Sequence, residues 1–430
     1  MGTFLGTLSD LIWSAPVTAA LFLVYFEISR CARFPQRRIF RAFFSRAGRK
    51  DGAAALGIHL SAVLGVGNIV GMAAAVTIGG PGAVFWVFVS GLLGAGVQYA
   101  EALVCLKHPE CGKTGAMYAL RACGMCRTAE VYALACALCG LFIGAAIPSG
   151  AAVQLALPSL DAGGRLLAGG VLCALSACAL TGGMQRVQKI CTRLVPPLLF
   201  CYLLILAGIL YTARASVLPA LARILREAFA LRPALSGAAG WGISRAMHWG
   251  CARGLFSSEA GLGTAGIAAQ EMRGGSIHQR ALTSGSSAVI DTVLLASLTG
   301  IAFVAAALDT GVGFGDAQAL LYAAFSLFPF VGALFLRICV TILAFSTIMG
   351  WYWISCQAVG YFRFRQGRRL LLVLWLSAIL AGPVLLSRAL WDACDVVTVF
   401  LLAPNLALLL RNRHSLAPAQ EKQEHGGTCT

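Results

Sequence analysis

Acidic side chains are scarce in this chain. Asp and Glu number 17 in 430 residues, and charged residues of all kinds make up 12%. Soluble domains carry roughly twice that charged share, which excludes a soluble enzyme or binding module. Catalytic signatures are missing too: there is no His-Glu-x-x-His, no Gly-x-Ser-x-Gly, and no Ser–Lys or Ser–His pair in a motif context. Without such a constellation the chain does not read as an enzyme. Nor does it open like a secreted precursor. Met1–Asp10 has neither a basic start nor a small-residue cleavage site, so the apolar run after it is expected to stay as a membrane helix.

Hydrophobic residues make up 59% of the chain, and the mean hydropathy is +0.80. These values define an all-α polytopic membrane protein. At about 20 apolar residues per crossing, eleven spans are read: 11–29, 53–78, 82–106, 129–156, 165–183, 194–213, 238–270, 281–308, 329–360, 370–388 and 391–411. Residues 317–328 read as a short helix outside the membrane core. One transmembrane domain is expected over 1–411, with 412–430 a polar cytoplasmic tail.

The formal charge of +16 does not point to nucleic acid once its residues are placed. Arg30, Arg33, Arg37, Arg38, Arg41, Arg46, Arg49 and Lys50 share one stretch between two apolar spans, and Arg363, Arg365, Arg368 and Arg369 share another. Such clusters mark cytoplasmic loops and bind anionic lipid headgroups. The expected partner is therefore membrane lipid. Alternation from a cytoplasmic 30–50 places the N-terminus outside and the C-terminus inside a plasma (inner) membrane. One loop disagrees: 214–232 holds Arg214, Arg223, Arg226 and Arg232 yet falls outside, as an amphipathic surface helix would. Most of the sixteen cysteines lie inside apolar spans, where Cys acts as a small hydrophobe. Cys123 and Cys126 have metal-pair spacing, but no second pair or histidine cluster completes a site. No metal centre and no cofactor are expected.

Two apolar spans are interrupted by glycine. The first interruption is Gly65-Val66-Gly67-Asn68-Ile69-Val70-Gly71; the second is Phe256-Ser257-Ser258-Glu259-Ala260-Gly261-Leu262-Gly263. Non-helical backbone is tolerated at membrane depth only where it is buried in protein or lines a cavity. Discarding the first span leaves ten, and each interruption falls in the first helix of a set of five. An odd repeat length inverts the second set, so the two breaks are expected to meet near the midplane, where transporters hold their cargo. Free amides at a half-helix N-terminus attract an anion and free carbonyls a cation. The alternative is that Gly67 and Gly71 only allow close helix packing. Three acids lie within spans: Glu101, Glu259 and Asp291. Glu259 sits in the break, to steady it or to meet Arg253, and Asp291 lies mid-helix. Glu101 is nearer a cytoplasmic end, where it can snorkel. His59 and His248 are candidate proton carriers or structural histidines. Ser346 and Thr347 are candidate cation ligands or helix back-bonders.

These stretches carry a family resemblance. Gly65–Gly71, Ile78-Gly79-Gly80-Pro81-Gly82, Gly183–Arg186, Trp249–Gly263, Phe345–Trp351, Trp391-Asp392, Asp395 and Pro404-Asn405 closely resemble the sodium:alanine/glycine symporter family, in register from about 11 to 411. The resemblance implies a leucine-transporter-type (LeuT-like) fold, a 5+5 inverted repeat over 53–213 and 238–411 with 11–29 as an extra N-terminal helix. It implies inward symport of alanine or glycine with sodium as the coupling ion, by alternating access. The substrate residues it implies are Gly65, Val66, Gly67, Asn68, Gly71, Phe256, Ser258, Gly261 and Gly263. Sodium falls among Leu64, Gly65, Ser346 and Thr347, while Glu259, Asp291 and Arg253 have structural or gating roles. The chain departs from the family at Val63, Val66, Pro148, Gly150, Ser258 and around Cys356-Gln357, where polar family residues are replaced. Those losses leave open another small solute, proton coupling, or a non-transporting sensor.

Overall fold

In the computed structural model, residues 2–46, 50–229, 245–271, 276–328 and 331–417 are described, and among them the secondary structure is helical, with one isolated bridge between Glu110 and Lys113. Nine helices among the described residues are long and apolar enough to cross a bilayer, beginning with Phe4–Cys31. The expected spans 53–78 and 238–270 are not among those nine: the described parts of each fall into half-helices, and 238–244 lie outside the described residues. Helix α1 (Ala15–Cys31) follows the short helix Gly2–Ile12, so the first span starts earlier than its hydropathy suggested. The first broken span comprises α2 (Lys50–Val63) and α3 (Met72–Gly79). Then come α4 (Ala83–Lys107), α5 (Cys126–Ala156) and α6 (Met184–Thr212), with Ala162–Leu180 between the last two. The second broken span comprises α7 (Arg245–Ser258) and α8 (Thr264–Ala268). Helices α9 (Ile277–Thr310), α10 (Gly332–Tyr361), α11 (Gly367–Leu385) and α12 (Arg388–Arg411) complete the set.

Glycine sets the closest helix approaches. A β-carbon at Gly250 of α7 would stand 2.6 Å from the Trp86 β-carbon of α4, and one at Gly254 would collide with the Ser90 hydroxyl. One at Gly91 of α4 would meet Thr292 of α9 at 2.8 Å. Small residues thus let α4 lie between α7 and α9, as expected where apolar lipid gives helices little hydrophobic reason to associate. The turn into α4 is fixed outside the helices. Gly80 has φ +81°, and the Trp86 indole donates to the Ala228 carbonyl at 2.8 Å. That carbonyl ends the surface helix Arg214–Ala228, which packs on α4 and α9. The short helix expected near 317–328 forms over Ala317–Ser326.

The buried apolar side chains form two bodies. One holds Leu93–Leu106 of α4, Ala281–Val289 of α9 and Ile348–Tyr361 of α10; the other holds Ala83–Val87, Ile290–Ala307 and Leu336–Ala344. The seam between them passes through Ser346 and Thr347 on α10 and reaches Asp291 on α9. Three helices also widen to π-geometry: Gly67–Gly71, Gly140–Ala146 of α5 and Val289–Ala296 of α9. Such widenings free backbone groups and recur at functional sites. Of the expected tail, 412–417 is described and Ser415 accepts a hydrogen bond from Lys107 at 2.5 Å; 418–430 lie outside the described residues.

Candidate functional site

Both glycine interruptions break their helices. In the first, α2 stops at Val63, and residues 64–66 turn before the π-helix begins at Gly67. The second runs from Glu259 to Gly263, with positive φ at Glu259 (+53°), Gly261 (+91°) and Gly263 (+82°). A left-handed glutamate is uncommon, and this one is tied down: Glu259 Oε1 accepts the Trp351 indole hydrogen at 2.6 Å.

A cavity of about 50 Å³ lies where the breaks meet, lined among others by Gly65, Gly67, Pro148, Ser257, Glu259 and Thr347. Val63 and Val66 also line it. A second cavity of about 570 Å³ is lined by Ser9, Trp13, Gly71, His248, Arg253 and Asp395, among others. Val70 and Trp391 line both cavities and stand between them. Gly67 and Gly71 have open space around them: a β-carbon at either would meet nothing within 4 Å. Close helix packing therefore does not account for these glycines. Gly65 is different, since a β-carbon there would stand 2.7 Å from Thr347 Oγ1.

Thr347 and Ser346 approach the first break from α10. Thr347 Oγ1 donates to the Leu64 carbonyl at 3.5 Å and its own-helix Leu343 carbonyl at 3.1 Å; Ser346 Oγ donates to the Ser61 carbonyl at 3.3 Å. Thr347 thus reaches the unwound turn at Leu64–Gly65, while Ser346 meets the Ser61 carbonyl in the last turn of α2; together they bring hydroxyl and carbonyl oxygens, the donor type of a small hard cation, to the end of α2.

Other expected site residues lie elsewhere. The Asn68 side chain is 2% exposed and bound to Asp291 (2.5 Å) and Ser257 (2.9 Å), so it joins the two breaks. Ser258 turns back to the Leu255 carbonyl at 3.2 Å, and its neighbour Ser257 faces the cavity. Gly261 and Gly263 do not line the cavity; β-carbons there would collide with the Tyr25 and Tyr132 hydroxyls. Gly71 lines only the larger cavity. The Phe256 side chain lies outside the described residues. Arg253 does not meet Glu259: its guanidinium carbon is 5.5 Å from the Trp249 ring centroid, on the wall of the larger cavity. Gly150, expected at a lost polar position, packs on α11, where a β-carbon would be 2.7 Å from the Gly382 carbonyl.

Glu101 corrects the sequence reading most. It does not snorkel; it is fully buried at the second break. Its Oε1 accepts from the Gly261 amide (2.6 Å), the Gly263 amide (3.1 Å) and Asn405 Nδ2 (2.9 Å). Asn405 also donates to the Gly261 carbonyl (2.8 Å), Gln98 to that of Ser258 (2.6 Å) and Tyr132 to that of Leu262 (2.6 Å), while Tyr25 donates to that of Ala260. A carboxylate at the centre of a membrane helix costs about 2.5–3.5 kcal/mol, and each hydrogen bond to a charged group returns about 1.5–3 kcal/mol. The three bonds, all at Oε1, offset part of that cost, and Oε2 is buried with no hydrogen-bond partner among the described residues. His59 is buried in the same neighbourhood, with Nδ1 2.7 Å from Ser287 Oγ.

Nine membrane-length helices among the described residues, two spans broken opposite one another and a small cavity between the breaks define a polytopic membrane protein of the solute-carrier class. The sodium:alanine symporter family profile matches residues 1–420, and the chain belongs to that family. It is 30% identical over 373 residues to the sodium/alanine symporter AgcS of Methanococcus maripaludis, covering 83% of this chain and 80% of the relative. An uncharacterized transporter of Haemophilus influenzae is 28% identical over 423 residues, covering 95% and 93% of the two chains. A putative sodium/proton-dependent alanine carrier, YrbD of Bacillus subtilis, is 29% identical over 458 residues, covering 96% and 92%. Membership makes this protein a transporter of the sodium/alanine type rather than an enzyme.

Proposed function

We propose that this protein carries alanine or glycine inward together with sodium, by alternating access through a LeuT-like 5+5 inverted repeat. The observation that carries the reading is the cavity at the junction of the breaks. A water needs roughly 10–15 Å³ of such space, so about 50 Å³ holds roughly three to five waters, a space for a solute of only a few heavy atoms. Glycine is at the upper end of that range, and alanine adds one methyl group. The solute carboxylate takes the unwound backbone around Gly65–Gly67, and Val66, Pro148 and Ser257 bound its side chain. Sodium takes the Leu64 and Gly65 carbonyls with Ser346 and Thr347. The valines and proline that replace polar family residues line this space, so recognition relies on backbone groups more than on side-chain hydroxyls.

With the N-terminus outside and the C-terminus inside, the larger cavity is the outer vestibule and Val70 and Trp391 are its floor. The extra N-terminal helix contributes Ser9 and Trp13 to the vestibule wall, and the Ser9 hydroxyl donates to Asp395 of α12 at 2.8 Å. Uptake of labelled alanine and glycine into proteoliposomes tests the reading. An inward sodium gradient is expected to drive accumulation of one or both. Equal uptake with and without that gradient, by folded protein, contradicts it.

A further inference from the structure

Beside the cavity lies a polar cluster that joins three elements. Asp291, in the π-turn of α9, is fully buried. Its Oδ1 accepts from Asn68 Nδ2 at 2.5 Å, and its Oδ2 accepts from Thr292 Oγ1 at 2.9 Å and from Ser257 Oγ at 3.0 Å. No Lys, Arg or His pairs with it among the described residues. The elements packed on this turn present Asn68 from the first break, Ser257 from α7 and Gly91 from α4, none of them ionisable. The ionisable groups within electrostatic reach are Glu259, bound to Trp351, and Tyr202 of α6, bound to Thr299 at 2.8 Å.

Ser257 gives the cluster two self-consistent states. Its Oγ lies 3.0 Å from Asp291 Oδ2 and 2.9 Å from Asn68 Oδ1. With Asp291 ionised, Ser257, Thr292 and Asn68 all donate to the carboxylate. With Asp291 protonated, the new O–H donates to Ser257 Oγ, and the Ser257 hydrogen turns to Asn68 Oδ1. Asp291 keeps its partners in both states, and Asn68 Oδ1 gains a donor when Asp291 is protonated. An unpaired carboxylate at membrane depth gains from taking up a proton. Ser257 also lines the solute cavity, so its hydroxyl connects that space to the acid.

We propose that Asp291, with Asn68, Ser257 and Thr292, is a proton-binding site that opens through Ser257 onto the solute cavity and exchanges its proton as that cavity fills and empties. The proton comes from water on the side to which the cavity is open, bonds to Asp291 Oδ2, and leaves to water on the other side. Asn68 lies just after the first break and Ser257 in the last turn of α7 just before the second, so their separation on opening to the inside disrupts the cluster and releases the proton there. This deepens the symport reading and rests on it for the identity of the cavity.

Two measurements separate the proposal from that reading. The first follows lumenal pH with a trapped dye while alanine enters proteoliposomes. The wild type is expected to acidify the lumen as alanine enters, and Asp291→Asn, shown to be monodisperse, to lose that signal. Alanine uptake that leaves lumenal pH unchanged in the wild type, or persistent acidification in Asp291→Asn, overturns the proposal. The second needs no cargo: infrared difference spectra of the wild type between acid and alkaline buffer. A protonated-carboxyl band that vanishes on alkalinisation, is missing in Asp291→Asn and shifts in Ser257→Ala supports the proton site, even if alanine proves not to be the cargo. Absence of such a titrating band overturns the site whatever the cargo.

Discussion

Glu101 and Gly261 lie 160 residues apart, yet the Glu101 carboxylate accepts the Gly261 amide hydrogen at 2.6 Å. The same oxygen holds the Gly263 amide and Asn405. A single side chain on the continuous helix α4 thus stabilises the unwound stretch of its broken neighbour. The break is a held conformation, shaped by what surrounds it as much as by its glycines.

Removing that carboxylate leaves two break amides buried and unsatisfied. At about 1–3 kcal/mol for each such group, Glu101→Ala is expected to destabilise the protein by about 2–6 kcal/mol and to abolish uptake. Glu101→Gln keeps one acceptor oxygen and should fall between. Thermal unfolding in detergent, read beside uptake, checks the order wild type, Gln, Ala.

The two adjacent serines that end α7 should behave differently. Ser257 bonds across to Asn68 and Asp291, whereas Ser258 bonds back to Leu255 of its own helix. Ser257→Ala is expected to lower the uptake rate at saturating alanine severalfold or more, and Ser258→Ala much less. Comparable losses from both substitutions would contradict the geometry.

At the other wall, Thr347 Oγ1 has little room beside Gly65. Gly65→Ala places a β-carbon about 2.7 Å from it and should displace the hydroxyl from the first-break carbonyls. The pair Ser346→Ala and Thr347→Ala removes both hydroxyls. At about 1 kcal/mol for each lost contact, the sodium concentration for half-maximal uptake should rise roughly tenfold or more. Alanine affinity at saturating sodium should change less. A sodium titration of initial uptake rates checks both variants.

Much of this arrangement was legible in the sequence, for physical reasons that also mark where legibility stops. Glycine runs inside apolar spans announce a broken helix, because the backbone cost shows in the residues themselves. Both breaks form where those runs fall. The family resemblance pointed to Ser346 and Thr347, and the contact of Thr347 with the Leu64 carbonyl lies at the first break, whereas Ser346 meets the Ser61 carbonyl of α2. Glu101 was misjudged because its partners are backbone amides on another helix, and amides leave no mark in a sequence. Helical phase within the last turn of α7 decides that Ser257 faces the cavity and Ser258 does not, and a one-residue difference at a helix end is beyond pattern reading. Gly150 read as a lost side chain and is a contact with α11 instead. Composition can report that a residue is small, but only packing shows what its smallness admits.

The central claim is that the solute binds where the breaks meet, and Gly67 tests it most directly. Nothing lies within 4 Å of a β-carbon at this position, and the residue lines the cavity. Gly67→Leu should therefore fold and fill the site. The measurement is equilibrium binding of labelled alanine and glycine to purified wild type and Gly67→Leu, each with and without sodium. The account predicts sodium-dependent binding of one or both by the wild type and none by Gly67→Leu of unaltered thermal stability. Wild-type-like binding by Gly67→Leu would contradict it and move the site out of the junction.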